Sequence, residues 1–107
     1  MPILLRLFAD CADHEHAQTL TNTISEHLSV FTATPTESPS QYWKIPEYFE
    51  FCFALSPDTK QTVNTVLNYA DHWIHSGDDT NYSAVWVRTE QNQFLLAEIA
   101  WVELIFY

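Results

Sequence analysis

One glycine in 107 residues, Gly77, leaves no room for the glycine-rich loops that wrap phosphates, so the common nucleotide-binding motifs are excluded. Basic residues are almost as scarce. Arg6, Lys44, Lys60 and Arg88 stand against 14 Asp and Glu, a formal charge of −10 with His neutral. A field of that sign repels nucleic acid and anionic membrane surfaces, while it attracts cationic partners and speeds their association at low salt. The cysteines, Cys11 and Cys52, lie far apart and follow no metal-ligand spacing. Each sits in or beside an apolar strand candidate, where a free thiol packs as a small hydrophobe. No run approaches the length that spans a bilayer, and MPILLRLF has neither a basic leader nor a small-residue cleavage site, so a cytoplasmic location is expected.

What is abundant is apolar and aromatic. Hydrophobic residues make up 47% of the chain and aromatics 15%, enough to expect one self-sufficient domain over 1–107. Ile3 to Phe8 are apolar on nearly both faces, as in a central strand. Ala17, Leu20, Ile24 and Leu28 recur at helical spacing after the caps offered by Asp10 and Asp13. FTATPT, with Pro35, reads as an edge strand. YFEFCFAL alternates as a half-buried strand, with Phe49, Phe51, Phe53 and Leu55 on one face.

Ser56 and Pro57 then predict the start of a second helix, with a stripe of Val63, Val66, Leu67, Ala70 and Trp73 or Ile74 and a left-handed cap at Gly77. SAVWVRT and the final run FLLAEIAWVELIFY supply further strands. Glu98 and Glu103 have opposite parity, so a bulge or break near Ala100 is required to keep both out of the core. The order predicts an α+β domain of ferredoxin-like type. It would be a two-layer sandwich with two helices on one face of a mainly antiparallel sheet of four to five strands, the last of them added at the C-terminus. Tyr48, Trp86 and Trp101 are expected partly exposed on the other face.

The histidines raise the question of a metal. His72 and His75 sit at i, i+3 on one face of the predicted second helix, with Asp71 adjacent and His14 and His16 near the start of the first. No third ligand completes a shell, and histidines near a helix C-terminus also serve the dipole; neither metal nor cofactor is expected. Cys52, among phenylalanines, is expected inert. Asp78 and Asp79 read as turn formers. No grouping meets the geometric needs of catalysis, and no enzyme activity is expected.

More suggestive is the meeting of acids and aromatics. Glu37, Trp43, Glu47, Tyr48 and Glu50 cluster around the central loop and strand, with Asp71, Asp78 and Asp79 near the end of the second helix. Trp and Tyr are the usual anchors of protein interfaces, and rim acids steer a basic partner. The competing reading is that Trp43 and Tyr48 cover the sheet and the acids form a solvated surface.

From PILLRLFAD through EYFEFCFALS to SAVWVRT, a small acidic α+β chain of this kind resembles the immunity proteins encoded beside contact-dependent growth inhibition and other polymorphic bacterial toxins. That resemblance implies a cytoplasmic inhibitor that binds a cognate toxin domain, a basic nuclease by preference, and blocks it. Nucleic acid and membrane are not expected partners, and the chain is monomeric or homodimeric. Two other functions stay open: a ferredoxin-like small-ligand or regulatory module, and a metal-dependent enzyme.

Overall fold

The computed structural model describes residues 2–28, 30–78 and 80–107. The chain runs β1 (Ile3–Asp10), α1 (His14–His27), β2 (Thr32–Pro35), β3 (Ser40–Gln41), β4 (Tyr48–Ser56), α2 (Lys60–Leu67), β5 (Ile74–Gly77), β6 (Tyr82–Val87) and β7 (Ile99–Phe106). It is an α+β protein. The strands form one open sheet of seven strands in the order β2-β4-β1-β7-β6-β5, with β3 pairing β4 beside β2, and every pairing is antiparallel.

β1 is central because nearly all its side chains are apolar, and it pairs β4 and β7 along its length. Ile3, Leu5, Leu7 and Ala9 point into a core shared with Phe49, Phe51, Phe53 and Leu55 of β4, Val102 and Leu104 of β7, and Trp86 of β6. Ala17, Leu20 and Ile24 of α1 and Val63 and Val66 of α2 join the same cluster, so both helices cover this face. Asp13 caps α1 by accepting from the His16 N–H at 2.8 Å. The expected bulge is found: Phe8 pairs Trp101 while Ala9 pairs Ile99, so Ala100 is the extra residue. Glu103 thereby turns to the uncovered face, and Glu98 stays before the strand, where its carbonyl accepts from the Asp10 N–H at 2.9 Å.

Several expectations are corrected. The four to five strands become seven, because β3 and β5 were not foreseen. The C-terminal strand is not an appendage at the edge of the sheet but lies inside it, between β1 and β6. Ser56 does not cap α2, since β4 carries it into a pair with Thr32; Thr59 is the cap.

α2 also ends far short of Gly77. The Trp73 indole N–H donates to the carbonyls of Leu67 at 3.0 Å and Ala70 at 3.1 Å, His72 turns the chain at φ 66°, and Ile74 to Gly77 then pair β6. Gly77, at φ +91°, sits at the hairpin, where an added Cβ would fall 1.8 Å from the Asn81 carbonyl oxygen. Trp86 does not lie on the uncovered face: it is fully buried against Phe94, on the helix side. Phe94, from the segment between β6 and β7, fills the core there with edge contacts to Tyr69 and Trp73.

Candidate functional site

With both helices on one side, the other side of the sheet carries no second layer among the described residues. Strand register fixes what it displays, because directly paired residues of an antiparallel ladder share a face. One row across it reads Cys52, Arg6, Glu103, Val85, Ile74, and the next reads Glu50, Phe8, Trp101, Val87. The single cation in these rows is held from both sides. Arg6 Nε donates to Glu50 Oε2 at 2.5 Å, and its Nη1 lies 3.8 Å from Glu103 Oε1. Its guanidinium also sits 5.0 Å from the Phe8 ring centre and 5.6 Å from that of Trp101. Burial works against its charge, but the hydrogen bond it donates to Glu50 and the two carboxylates outweigh it and hold the Arg6 pKa above its ordinary value.

Next to Arg6 the face opens into an aromatic groove of about 330 Å³ lined by Arg6, Phe8, Tyr42, Ile45, Tyr48 and Trp101. Phe8 forms its floor, its ring centre 4.5 Å from that of Tyr42 and 5.1 Å from that of Trp101. The rim is the turn between β3 and β4. That turn is stapled by Tyr42 N–H to Tyr48 O at 2.8 Å, Tyr48 N–H to Ile45 O at 2.9 Å and the Gln41 side-chain amide to Pro46 O at 2.9 Å. At its tip Trp43 stands 80% exposed, in edge contact with Tyr42, with Lys44 Nζ 5.2 Å from its ring centre. A large exposed indole on a hydrogen-bonded turn is costly in water and well placed to be buried by a partner.

The sequence-predicted residues divide. Trp43, Glu47, Tyr48 and Glu50 gather on or beside this groove, and Glu37 approaches it through Cys52, whose ligating atom with those of Glu37 and Glu50 lies within a 4.8 Å cluster. Asp71 and Asp78 lie at the other edge, beside β5. The three intervening strands, β1, β7 and β6, put them roughly 19 Å from β4 at the usual strand spacing. Asp78 is engaged locally: its carboxylate accepts from the Thr80 hydroxyl and from the Thr80 and Asn81 N–H groups, which hold its pKa below the usual range. Asp79 lies outside the described residues.

The groups that suggested metal or nucleophile chemistry are also accounted for. His72 occupies a turn and His75 a strand, so the shared helix face expected for them does not form; His75 Nδ1 instead hydrogen-bonds the Tyr82 hydroxyl. Burial, reinforced by Glu37 and Glu50, pushes the Cys52 thiol up to about 12, and burial with Asp10 and Glu98 nearby pushes Cys11 up to about 11. Cys52 is therefore a poor thiolate donor, and Glu50 beside it is already taken by Arg6.

Arg6, Phe8, Tyr42 and Glu103 were missed in the sequence. The even-numbered parity of Arg6 and Phe8 was a usable signal, but the register joining them to β4 and β7 was not readable from spacing. No helix among the described residues is long and apolar enough to cross a membrane. No protein-family model, curated protein or solved structure matches the chain.

Proposed function

We propose that the chain is a non-catalytic binding protein of the immunity type, which neutralises a basic toxin domain by seating it on the uncovered sheet face. The observation that carries this reading is the 80% exposed Trp43 held by a stapled turn beside the Phe8, Tyr42 and Trp101 groove. Aromatic anchors of this kind supply most of the free energy in a small interface, and acids around them select and steer a cationic partner. Glu37 and Glu47 are exposed and supply that rim. Glu50, bound to Arg6, serves the architecture of the face more than its outward charge.

The charge balance favours the same partner class. Of the four Lys and Arg, Arg6 and Arg88 are paired internally, the latter with Asp10 at 2.8 Å, so the formal −10 is presented with little opposing field. A nuclease whose substrate groove is cationic is the partner such a surface fits, and a cytoplasmic site of action goes with it. The order β7-β1-β4-β2, with α1 between β1 and β2 and α2 between β4 and β7, supports a ferredoxin-like reading in which β5–β6 is an inserted hairpin.

The direct test is co-expression with the C-terminal domain of any large secreted protein that the neighbouring upstream reading frame encodes. Protection of the host and a complex lost at high salt are expected, with Trp43→Ala weakening it by roughly 30-fold or more, the mark of an interface anchor. Failure of the unaltered protein to bind or protect against that domain would contradict the reading.

A further inference from the structure

The sheet ends on two unlike edges. On one side β2 carries Pro35, and β3 takes up more of the same side of β4, devices that blunt an edge against foreign strands. On the other side β5 (Ile74–Gly77) has no Pro, Lys or Arg, all four residues are exposed, and no element among the described residues pairs its outer side. Apart from its shortness, it lacks the usual chemical guards of a strand edge.

The hydrogen-bond phase of the sheet says which groups that edge offers. The Arg88 N–H donates to Ala100 O, so alternation along the ladder turns the main chain of Ala84 and Trp86 toward β7 and that of Ser83 and Val85 toward β5. At the hairpin the Asp78 N–H donates to Asn81 O, which gives the same phase from the opposite end. Ile74 and Ser76 therefore bond to β6, and His75 and Gly77 direct their N–H and C=O groups outward. Ile74, 69% exposed, lies on the uncovered face beside Val85 and near Val87, which is 52% exposed. The exposed Asp71 and Asp78 bracket the strand, and neither β5 nor β6 contains Lys or Arg.

We infer that β5 is a docking edge for an extended basic segment of a partner polypeptide, which adds to the sheet as a further strand. Its main chain bonds to His75 and Gly77, an apolar side chain covers Ile74, and Lys or Arg side chains reach Asp71 and Asp78. Charge decides between occupants: pairing with a second copy would bring together two chains of formal charge −10, whereas a cationic strand is attracted. The inference does not depend on what binds at Trp43, which lies at the other side of the sheet.

The probe is a labelled short peptide of alternating Val and Lys, titrated into the full chain by fluorescence anisotropy at low salt, with an alternating Val and Glu peptide as control. The Lys peptide is expected to bind, the Glu peptide not, and the His75 and Gly77 amides to gain protection from hydrogen exchange. His75→Pro removes an outward N–H and spares the bonds to β6; it should weaken binding about tenfold, the worth of one well-made hydrogen bond. His75→Ala, which keeps the main-chain donor, should leave affinity within about threefold on the same scale. Ile74→Lys gives a second variant that touches no main-chain bond and should also weaken binding. Equal binding of both peptides, full affinity in His75→Pro and Ile74→Lys, or protection confined to other strands would overturn the inference. So would concentration-dependent self-association of the chain that His75→Pro abolishes, since the edge would then belong to a second copy.

Discussion

Arg6 Nε donates to Glu50 Oε2 at 2.5 Å, an ion pair across the centre of the uncovered sheet face that neutralises one of the acids otherwise available to a partner. With Glu103 at 3.8 Å from the same guanidinium, these three side chains present a single net negative charge over the aromatic groove. Removing the arginine has opposite effects on folding and on association. Arg6→Gln should destabilise the fold by about 1 kcal/mol, as expected for a pair still partly exposed to solvent. It should also raise the association rate with a basic partner at low salt. Chemical denaturation and stopped-flow binding check the two arms; a slower association would show that Arg6 itself contacts the partner.

Trp73 makes a second kind of prediction, about where α2 stops. Its indole N–H bonds the carbonyl of Leu67, left open at the helix end, and that of Ala70 in the turn beyond it. Trp73→Phe keeps the ring that packs against Phe94 and deletes the donor, and should cost about 1–2 kcal/mol in urea denaturation. No loss would mean that the carbonyls are satisfied by water.

Phe94 is the test of how the β5–β6 hairpin is tied to the core. It is fully buried among Tyr69, Trp73 and Trp86, although it comes from a segment between strands. Phe94→Ala should cost about 3–5 kcal/mol, the usual loss for a buried aromatic ring. Hydrogen exchange should show the largest loss of protection in β6 and the turn after α2, ahead of β1 and β4.

The thiols predict the alkaline side of the stability curve. Both cysteines have folded pKa values above those of the unfolded chain, at about 11 for Cys11 and about 12 for Cys52, with burial the leading cause. A raised pKa means the folded state holds its proton longer. The associated stability is therefore present below the unfolded thiol pKa of about 8.5 and lost as pH climbs through the folded values. Stability should fall above about pH 9 on these grounds, and Cys52→Ala should lessen the fall. At pH 8 both thiols should alkylate far more slowly than free cysteine; fast labelling of Cys52 would contradict its assignment as a half-buried, protonated group.

Much of the fold was legible because its strongest signals are periodic. β1, α1 and β4 follow from apolar alternation and a single helical stripe, and the opposed parity of Glu98 and Glu103 called for a bulge or a break near Ala100, where the bulge falls. The stretch from Ala70 to Gly77 was misread for a physical reason. Val63, Val66, Leu67, Ala70 and Trp73 are spaced as a helix stripe, yet Trp73 reaches the core by folding back over the helix end, and Ile74 stays exposed. Spacing alone does not distinguish those two ways of burying Trp73.

The candidate site was legible where it is local. Trp43, Tyr48 and Glu50 are neighbours in sequence and remain so in space. Phe8, Arg6, Trp101 and Glu103 join them only through the registers of β1 with β4 and β7. Asp71 and Asp78 were grouped with them on the strength of charge, and the intervening strands separate them.

The most direct test of the account is a map of the bound surface: amide and indole shifts of the isotope-labelled chain titrated with a basic nuclease domain that it captures in a pull-down. Perturbations centred on Phe8, Tyr42, Trp43, Tyr48 and Trp101, and lost with Trp43→Ala, are the predicted result. Perturbations confined to the outer surfaces of α1 and α2, with Trp43 unmoved, would contradict it.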